Sequence, residues 1–150
     1  MKKILKTALS AFLFLAIISC SDKNDGDPST PDDNAMVMGQ VDVLRSGTLT
    51  AQSSTNTVGT VAIVKDKDGK HFVRLSENFT TKFSTGTVTV YLATSQTLNL
   101  NNSSTFQLVS IVGKPGEQFF ALPGLPDSKF THGIIWCGAA AIPFGFAKLE

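Results

Sequence analysis

Cys137 is the residue of this chain whose side chain type is best suited to chemistry, and it follows Trp136 in a strongly apolar stretch. The other cysteine, Cys20, lies near the amino terminus in a segment with the features of a targeting signal, so Cys137 has no partner for an intrachain disulfide. A lone thiol is buried and inert, bound to a ligand, or reactive. Apolar neighbours disfavour the thiolate, whereas Gly138 leaves room beside the sulfur. The residues alone leave a structural and a redox interpretation of Cys137 open.

The two histidines are the candidate bases for such a thiol. His132 lies five residues before Cys137, and in a regular strand this odd spacing places the two side chains on opposite faces. A Cys-His nucleophilic pair would therefore need a bulge, or an approach by His71 from another strand. Glu77 and Glu117 are isolated carboxylates, which disfavours a paired-carboxylate hydrolase. Because His-rich and multi-Cys spacings are also missing, we predict no metal site and do not predict an enzyme.

The first 19 residues have the features of a signal peptide. Lys2, Lys3 and Lys6 form a positive segment, and residues 8–18 form an uncharged, mostly apolar run of 11 residues. A run of this length is too short for a membrane span, which needs about 20 apolar residues. The sequence Ile-Ile-Ser before Cys20 resembles the lipobox of bacterial lipoproteins. That resemblance implies cleavage before Cys20, a diacylglycerol thioether on its sulfur, and a fatty acyl group such as palmitate on its amine.

Residues 20–35 are predicted to be the lipidated cysteine followed by a disordered acidic tether. The tether carries five aspartates and two prolines, and it has too little apolar surface to offset its chain entropy. A serine directly after Cys20, with acids following, is similar to the tethers of lipoproteins delivered to an outer membrane. We therefore expect a membrane-anchored protein of the cell envelope, located at the outer membrane.

The charge of the chain argues against nucleic acid as a partner. After removal of residues 1–19, 10 basic and 12 acidic residues remain, so the net charge is near −2. The chain has no basic stripe and no interleaving of basic and aromatic residues, which are the features of nucleic-acid binding. The expected contacts are with the membrane, through the lipid anchor, and with a redox or surface protein partner.

Residues 36–150 are predicted to form one all-β domain. Apolar residues alternate from Val37 through Val41 to Val43, as in a strand with one buried face. Further strand-sized runs, rich in Val, Ile, Thr and Phe, occur at 58–64, 71–75, 87–93, 105–112, 117–122 and 133–137. Asp66-Lys67-Asp68-Gly69 predicts a hairpin turn in which Gly69 supplies the positive φ. The expected architecture is a single antiparallel β-sandwich or barrel-like domain of about seven to nine strands.

Aromatic side chains raise the possibility of sugar binding. Trp136 and Tyr91 are the candidates, since a sugar ring can pack against an exposed aromatic face. Both residues lie inside apolar runs, so the favoured interpretation is that they pack in the core of the domain.

Five short blocks in residues 45–149 resemble, in the same order, blocks of the DM13 domain family. They cover nearly the whole predicted domain. The blocks are Ser46-Gly47-Thr48, residues 72–79 together with Val90-Tyr91-Leu92, residues 116–123, Ile135-Trp136-Cys137, and residues 144–149. Family members carry "Gly-x-Gln-x-Tyr-x-Leu-Pro" in the third block, where this chain has Phe120 in place of the tyrosine.

The resemblance implies a β-sandwich-like domain that takes part in electron transfer at the cell surface. Cys137 would be the redox centre, with Trp136 as its neighbour, acting as a bare thiol or as a ligand to a prosthetic group such as haem. The alternative function is a non-catalytic surface module that binds a protein or a glycan. In that case Cys137 is a packing residue and no cofactor is needed.

The lipid anchor gives a direct prediction. The variant Cys20→Ser removes the acceptor sulfur, so we expect the protein to leave the membrane fraction or to accumulate as an uncleaved precursor. Detergent phase partitioning and the mass of the amino terminus measure both outcomes. A Cys20→Ser protein that is still cleaved and still partitions into detergent would contradict the lipobox assignment.

Overall fold

A computed structural model describes residues 36–150, which contain nine β-strands and two short 3₁₀ helices. The 3₁₀ helices span Phe83–Thr85 and Ser103–Thr105. The strands are β1 Asp42–Thr48, β2 Thr50–Ala51, β3 Thr60–Lys65, β4 His71–Leu75, β5 Val88–Ala93, β6 Phe106–Ile111, β7 Gln118–Leu122, β8 His132–Cys137 and β9 Ile142–Lys148.

The strands form two antiparallel sheets that pack face to face. The four-stranded sheet has the order β1-β3-β4-β7, and the five-stranded sheet has the order β2-β9-β8-β5-β6. The prediction of an all-β domain with seven to nine antiparallel strands is confirmed. Of the two expected architectures the protein has the sandwich, because each sheet keeps two edges instead of closing into a barrel.

One apolar core fills the space between the sheets. Strands β3, β4, β5, β7 and β8 contribute alternate residues to it, as the period of two in a β-strand requires. The four-stranded sheet contributes side chains such as Ile63 and Leu75, and the five-stranded sheet contributes Val90, Ile135 and Cys137. Burial of one such aliphatic side chain contributes roughly 1.5–3 kcal/mol to the free energy of folding.

At one side of the sandwich the two sheets are joined by backbone hydrogen bonds. Ser46 of β1 and Glu150 after β9 exchange two bonds of 2.9 and 3.0 Å. The sheets approach closely here because glycine occupies the contact: a Cβ on Gly47 would lie 2.0 Å from the carbonyl oxygen of Lys148. Gly133 on β8 has a similar role, since its Cβ would lie 2.7 Å from the side chain of Val61.

The outer face of the four-stranded sheet is covered by the first described residues of the chain. Ala62, Val64 and Phe72 form a second apolar cluster, and Val37 and Val41 pack against it. Val37 and Val41 are therefore half-buried as the alternation predicts, but Val43 is 55% exposed, so the predicted buried face does not continue to it. The regular strand begins only at Asp42. The preceding residues lie across the sheet instead of extending β1.

The predicted hairpin turn at residues 66–69 is confirmed. It joins β3 to β4, and Gly69 has φ 81°. The buried carboxylate of Asp66 organises the turn, because its Oδ1 accepts the amides of Asp68 at 3.0 Å and Lys70 at 2.9 Å. Its Oδ2 accepts the amide of Met38 at 3.4 Å. Asp66 thus links the hairpin to the first described segment of the chain.

Strand β9 was not predicted from the sequence. Pro143 and Gly145 are both residue types that are depleted in strands, and they interrupt the pattern. The structure accommodates them at a register shift in which Trp136 pairs with Pro143 and Ile135 pairs with Gly145. Phe144, the extra residue of this bulge, turns into the core.

The targeting segment, Cys20 and the tether lie outside the described residues, so their assignments stay predictions. Within residues 36–150, the helical segments are all too short to cross a membrane.

The glycine contact between the sheets gives a stability prediction. Gly47→Ala places a methyl group against a backbone oxygen that cannot move without shifting β9, so we expect a loss of at least about 2 kcal/mol. Gly124→Ala is the matched control, because a Cβ there meets no atom within 4 Å. Urea unfolding of both variants measures the difference. Equal stability of the two variants would contradict the described approach of the sheets.

The Asp66 carboxylate gives a pH prediction. Burial raises its pKa, but hydrogen bonds from the amides of Lys70, Met38 and Asp68 outweigh burial and hold the pKa below 3.8. The folded pKa is thus depressed, so the stabilisation is present above the unfolded value and is lost as the pH falls through the folded value. Between neutral pH and about pH 3 the wild type should lose more stability in urea titrations than Asp66→Asn, which cannot ionise. Parallel pH curves for the two proteins would be the opposite result.

Candidate functional site

Cys137 is at the end of β8, with its side chain turned into the core. It pairs with Val88 of β5 and Ile142 of β9, and its exposed fraction is 0%. Alternation along β8 sends Ile135 and Cys137 inward to the same apolar cluster. Among the described residues it is the one cysteine, and it has no disulfide partner.

A 3₁₀ segment covers the sulfur. The Sγ atom lies 3.8 Å from both the hydroxyl and the carbonyl oxygen of Thr85, at the end of the helix Phe83–Thr85. The segment is held in place by the amide of Gly138, which donates to the carbonyl oxygen of Thr87 at 2.8 Å. Gly86, with φ 121°, approaches so closely that its Cβ would lie 2.6 Å from that of Ala139. Glycine is therefore needed for this cover to close.

A prosthetic group on Cys137 does not fit this arrangement. A ligand sulfur must face a cavity that can hold the group, yet Cys137 lines neither of two surface cavities of about 490 and 350 Å³. The larger one is bordered by Met36, His71 and Pro123, and the smaller one by Arg45 and Leu125. Beside Gly138 the backbone of Thr87 lies 3.6 Å from the position of a Cβ, an ordinary contact distance, and neither cavity reaches this glycine. Within residues 36–150, no three His, Cys, Asp or Glu side chains are grouped so that they could hold a metal ion.

Neither histidine is a partner for the thiol. His132 lies on the outer face of the five-stranded sheet, where its ring is 6.3 Å from that of Phe146 and its Nδ1 is 2.9 Å from the Thr131 hydroxyl. The predicted placement of His132 and Cys137 on opposite faces is confirmed. His71 begins β4 in the other sheet, opposite Lys65 and Leu122. The described residues therefore contain no Cys-His nucleophilic pair.

The expectation that Trp136 and Tyr91 pack in the core is wrong. Trp136 lies between the inward residues Ile135 and Cys137 on β8, so it points to the opposite, outer face of the sheet. Tyr91 pairs with Ile134 and Leu108 and points to the same outer face. Both are half-buried and neither belongs to the buried core. The prediction failed because both faces of these strands are apolar, so an apolar run does not distinguish inward from outward residues.

Together these side chains form a surface that we name the aromatic face. Its side chains come from residues that pair with one another across β6, β5, β8 and β9. Leu108 and Ile111 on edge strand β6 are its most open members, with exposed fractions of 51% and 47%. The outward-pointing set is Thr89, Tyr91, Ala93, Phe106, Leu108, Ile111, His132, Ile134, Trp136 and Phe146. Thr89, Ala93 and Ile134 are themselves buried, so the other members form the accessible part of the face.

The aromatic face is almost free of charge. Residues 83–113, which include β5 and β6, contain no Asp, Glu, Lys, Arg or His. Across the five strands of this sheet the permanently charged residue is Lys148, at a corner, and it forms an ion pair with Glu150. Partial burial, with a smaller effect from Lys148, lowers the pKa of His132 below its usual 6.5, which favours the neutral ring at pH 7. The long uncharged stretch is the sequence signal that could have identified this surface.

Comparison with known proteins adds no family to these observations, since no family model, curated protein or solved structure matches the chain. The DM13 resemblance therefore remains an expectation from the sequence.

Proposed function

We propose that the protein is a membrane-anchored lipoprotein of the cell envelope whose β-sandwich is a non-catalytic binding module. Its binding surface is the aromatic face, and Cys137 is a packing residue of the core. One observation carries this proposal: on β8 the thiol faces inward with no exposed surface, whereas its neighbour Trp136 faces outward.

The surroundings of Cys137 favour a packing role over electron transfer, and this supports the binding module as the function of the domain. Thiol redox chemistry proceeds through the thiolate, which forms where a positive charge or solvent stabilises it. Among residues 36–150 the sulfur makes two weak polar contacts, both to Thr85, and the rest of its setting is the apolar core. Free cysteine in such a setting behaves as a small apolar side chain.

The position of the aromatic face supports the same proposal. Contiguous exposed apolar surface on a soluble domain is typical of an interaction site. Val37 and Val41 pack on the four-stranded sheet, so the chain that leads to the proposed anchor joins the domain on the side away from the aromatic face. A tether attached there leaves the aromatic face free for a partner.

Substitution of Cys137 tests the proposal through the free energy of unfolding. Cys137→Ala removes a buried sulfur and should cost about 1 kcal/mol or somewhat more. Cys137→Ser should cost more, because its hydroxyl is buried with poor partners in the core. Cys137→Val is the control that keeps an apolar side chain, and it should be closer to wild type than Cys137→Ser.

Electron transfer through Cys137 predicts a different pattern. All three variants would then keep wild-type stability, and the wild type would carry visible absorbance or a thiol that titrates in the folded state. That combination would overturn the binding-module proposal.

A further inference from the structure

We infer that the aromatic face binds the aromatic face of a second copy of this chain, forming a symmetric dimer. The inference rests on the proposed function, since it names the partner of the surface assigned there. A face that pairs with its own copy must be complementary to itself in charge, in shape and in area.

Charge is the first argument for a second copy. Two identical surfaces repel each other when they carry like charges at the contact. The aromatic face avoids this, because β5 and β6 lie within residues 83–113, which contain no charged residue. Lys148 is already paired with Glu150 at the corner. A charged partner would find no opposite charge on this surface, whereas an identical neutral surface needs none.

The edge strand β6 supplies the second argument. Natural sheets protect a free edge with charged side chains or proline. β7 is an edge strand of the four-stranded sheet, and it is flanked by Glu117 and Pro123. β6 is an edge strand of the five-stranded sheet, where it pairs with β5 alone, and it contains no charged residue and no proline. Leu108 and Ile111 lie beside this edge, about half exposed. Their burial is the largest gain that the surface offers to a partner.

The size of the face fits a weak dimer. The four strands of the face, about 4.8 Å apart and six or seven residues long, span roughly 19 Å by 20 Å, or on the order of 400 Å² before the relief of the side chains is counted. Stable complexes bury about 800 Å² per partner, and weaker ones bury less. We therefore expect a dissociation constant on the order of micromolar, which confinement on a membrane would favour through a raised local concentration.

A glycan fits the same surface less well. Sugar rings pack on the flat faces of aromatic side chains, so a glycan platform needs rings that lie side by side in one plane. Here the ring of Tyr91 meets that of Phe106 at 75°, and the rings of His132 and Phe146 are inclined by 51°. The exposed aliphatic side chains at β6 are typical of a protein contact.

The mass of the full chain in detergent tests the inference, measured by light scattering that separates protein from micelle. At about 100 µM the wild type should have the mass of two chains, and dilution below the dissociation constant should give one. Leu108→Lys and Ile111→Lys place charge on both copies at the contact and should weaken the dimer at least about tenfold. Leu125→Lys is the control, because Leu125 is 62% exposed in the loop between β7 and β8 and should leave the dimer intact.

Three results would overturn the inference. The first is a monomeric wild type at about 100 µM, far above the expected dissociation constant. The second is a dimer that Leu108→Lys leaves unchanged while the variant keeps its melting temperature. The third is a monomer that binds a neutral polysaccharide and loses this binding in Leu108→Lys. The third result would leave the aromatic face as a binding surface, so the proposed function would stand with a glycan as its partner.

Discussion

Packing of the two sheets through one apolar core is the interaction on which the other features depend. A strand can present only alternate residues to that core, so every inward residue on β8 or β5 has neighbours that point outward. The sheets come close enough to exclude water because Gly47 and Gly133 lie where a larger residue would collide with the opposite sheet. This close packing encloses Cys137 and, by the same alternation, turns Trp136 to the surface.

The chemistry of the domain follows from this alternation of inward and outward residues. A thiol among aliphatic side chains is a packing group, and the cover formed by Thr85 and Gly86 completes its enclosure. The outer surface of the same sheet has aromatic and aliphatic residues but almost no charge, which suits recognition through shape and burial of apolar area. In the proposed function the two sheets have different roles: the four-stranded sheet receives the chain from the proposed anchor, and the five-stranded sheet presents the aromatic face.

Local patterns in the sequence predicted several of these features. Turn chemistry at Asp66 and Gly69 was sufficient to place the hairpin, and the odd spacing of His132 and Cys137 was sufficient to separate them. The aromatic face was missed because both faces of β5 and β8 are apolar, so alternation alone could not say which residues point inward. The cover over Cys137 depends on contacts between residues about 50 positions apart, such as Thr85 with Cys137, and no local pattern encodes them. β9 was missed because its bulge tolerates Pro143 and Gly145, which in a regular strand would be unfavourable.

Cys137 belongs to the core, and the rate at which a thiol reagent labels it across a denaturant series tests this placement. The Cys20→Ser protein is suitable, because Cys137 is then the only thiol and every label reports on it. We expect slow labelling of the folded protein at neutral pH, with a rate that rises with urea along the global unfolding equilibrium. Rapid labelling that does not change with urea below the unfolding transition would show instead that Cys137 is an accessible thiol outside the core.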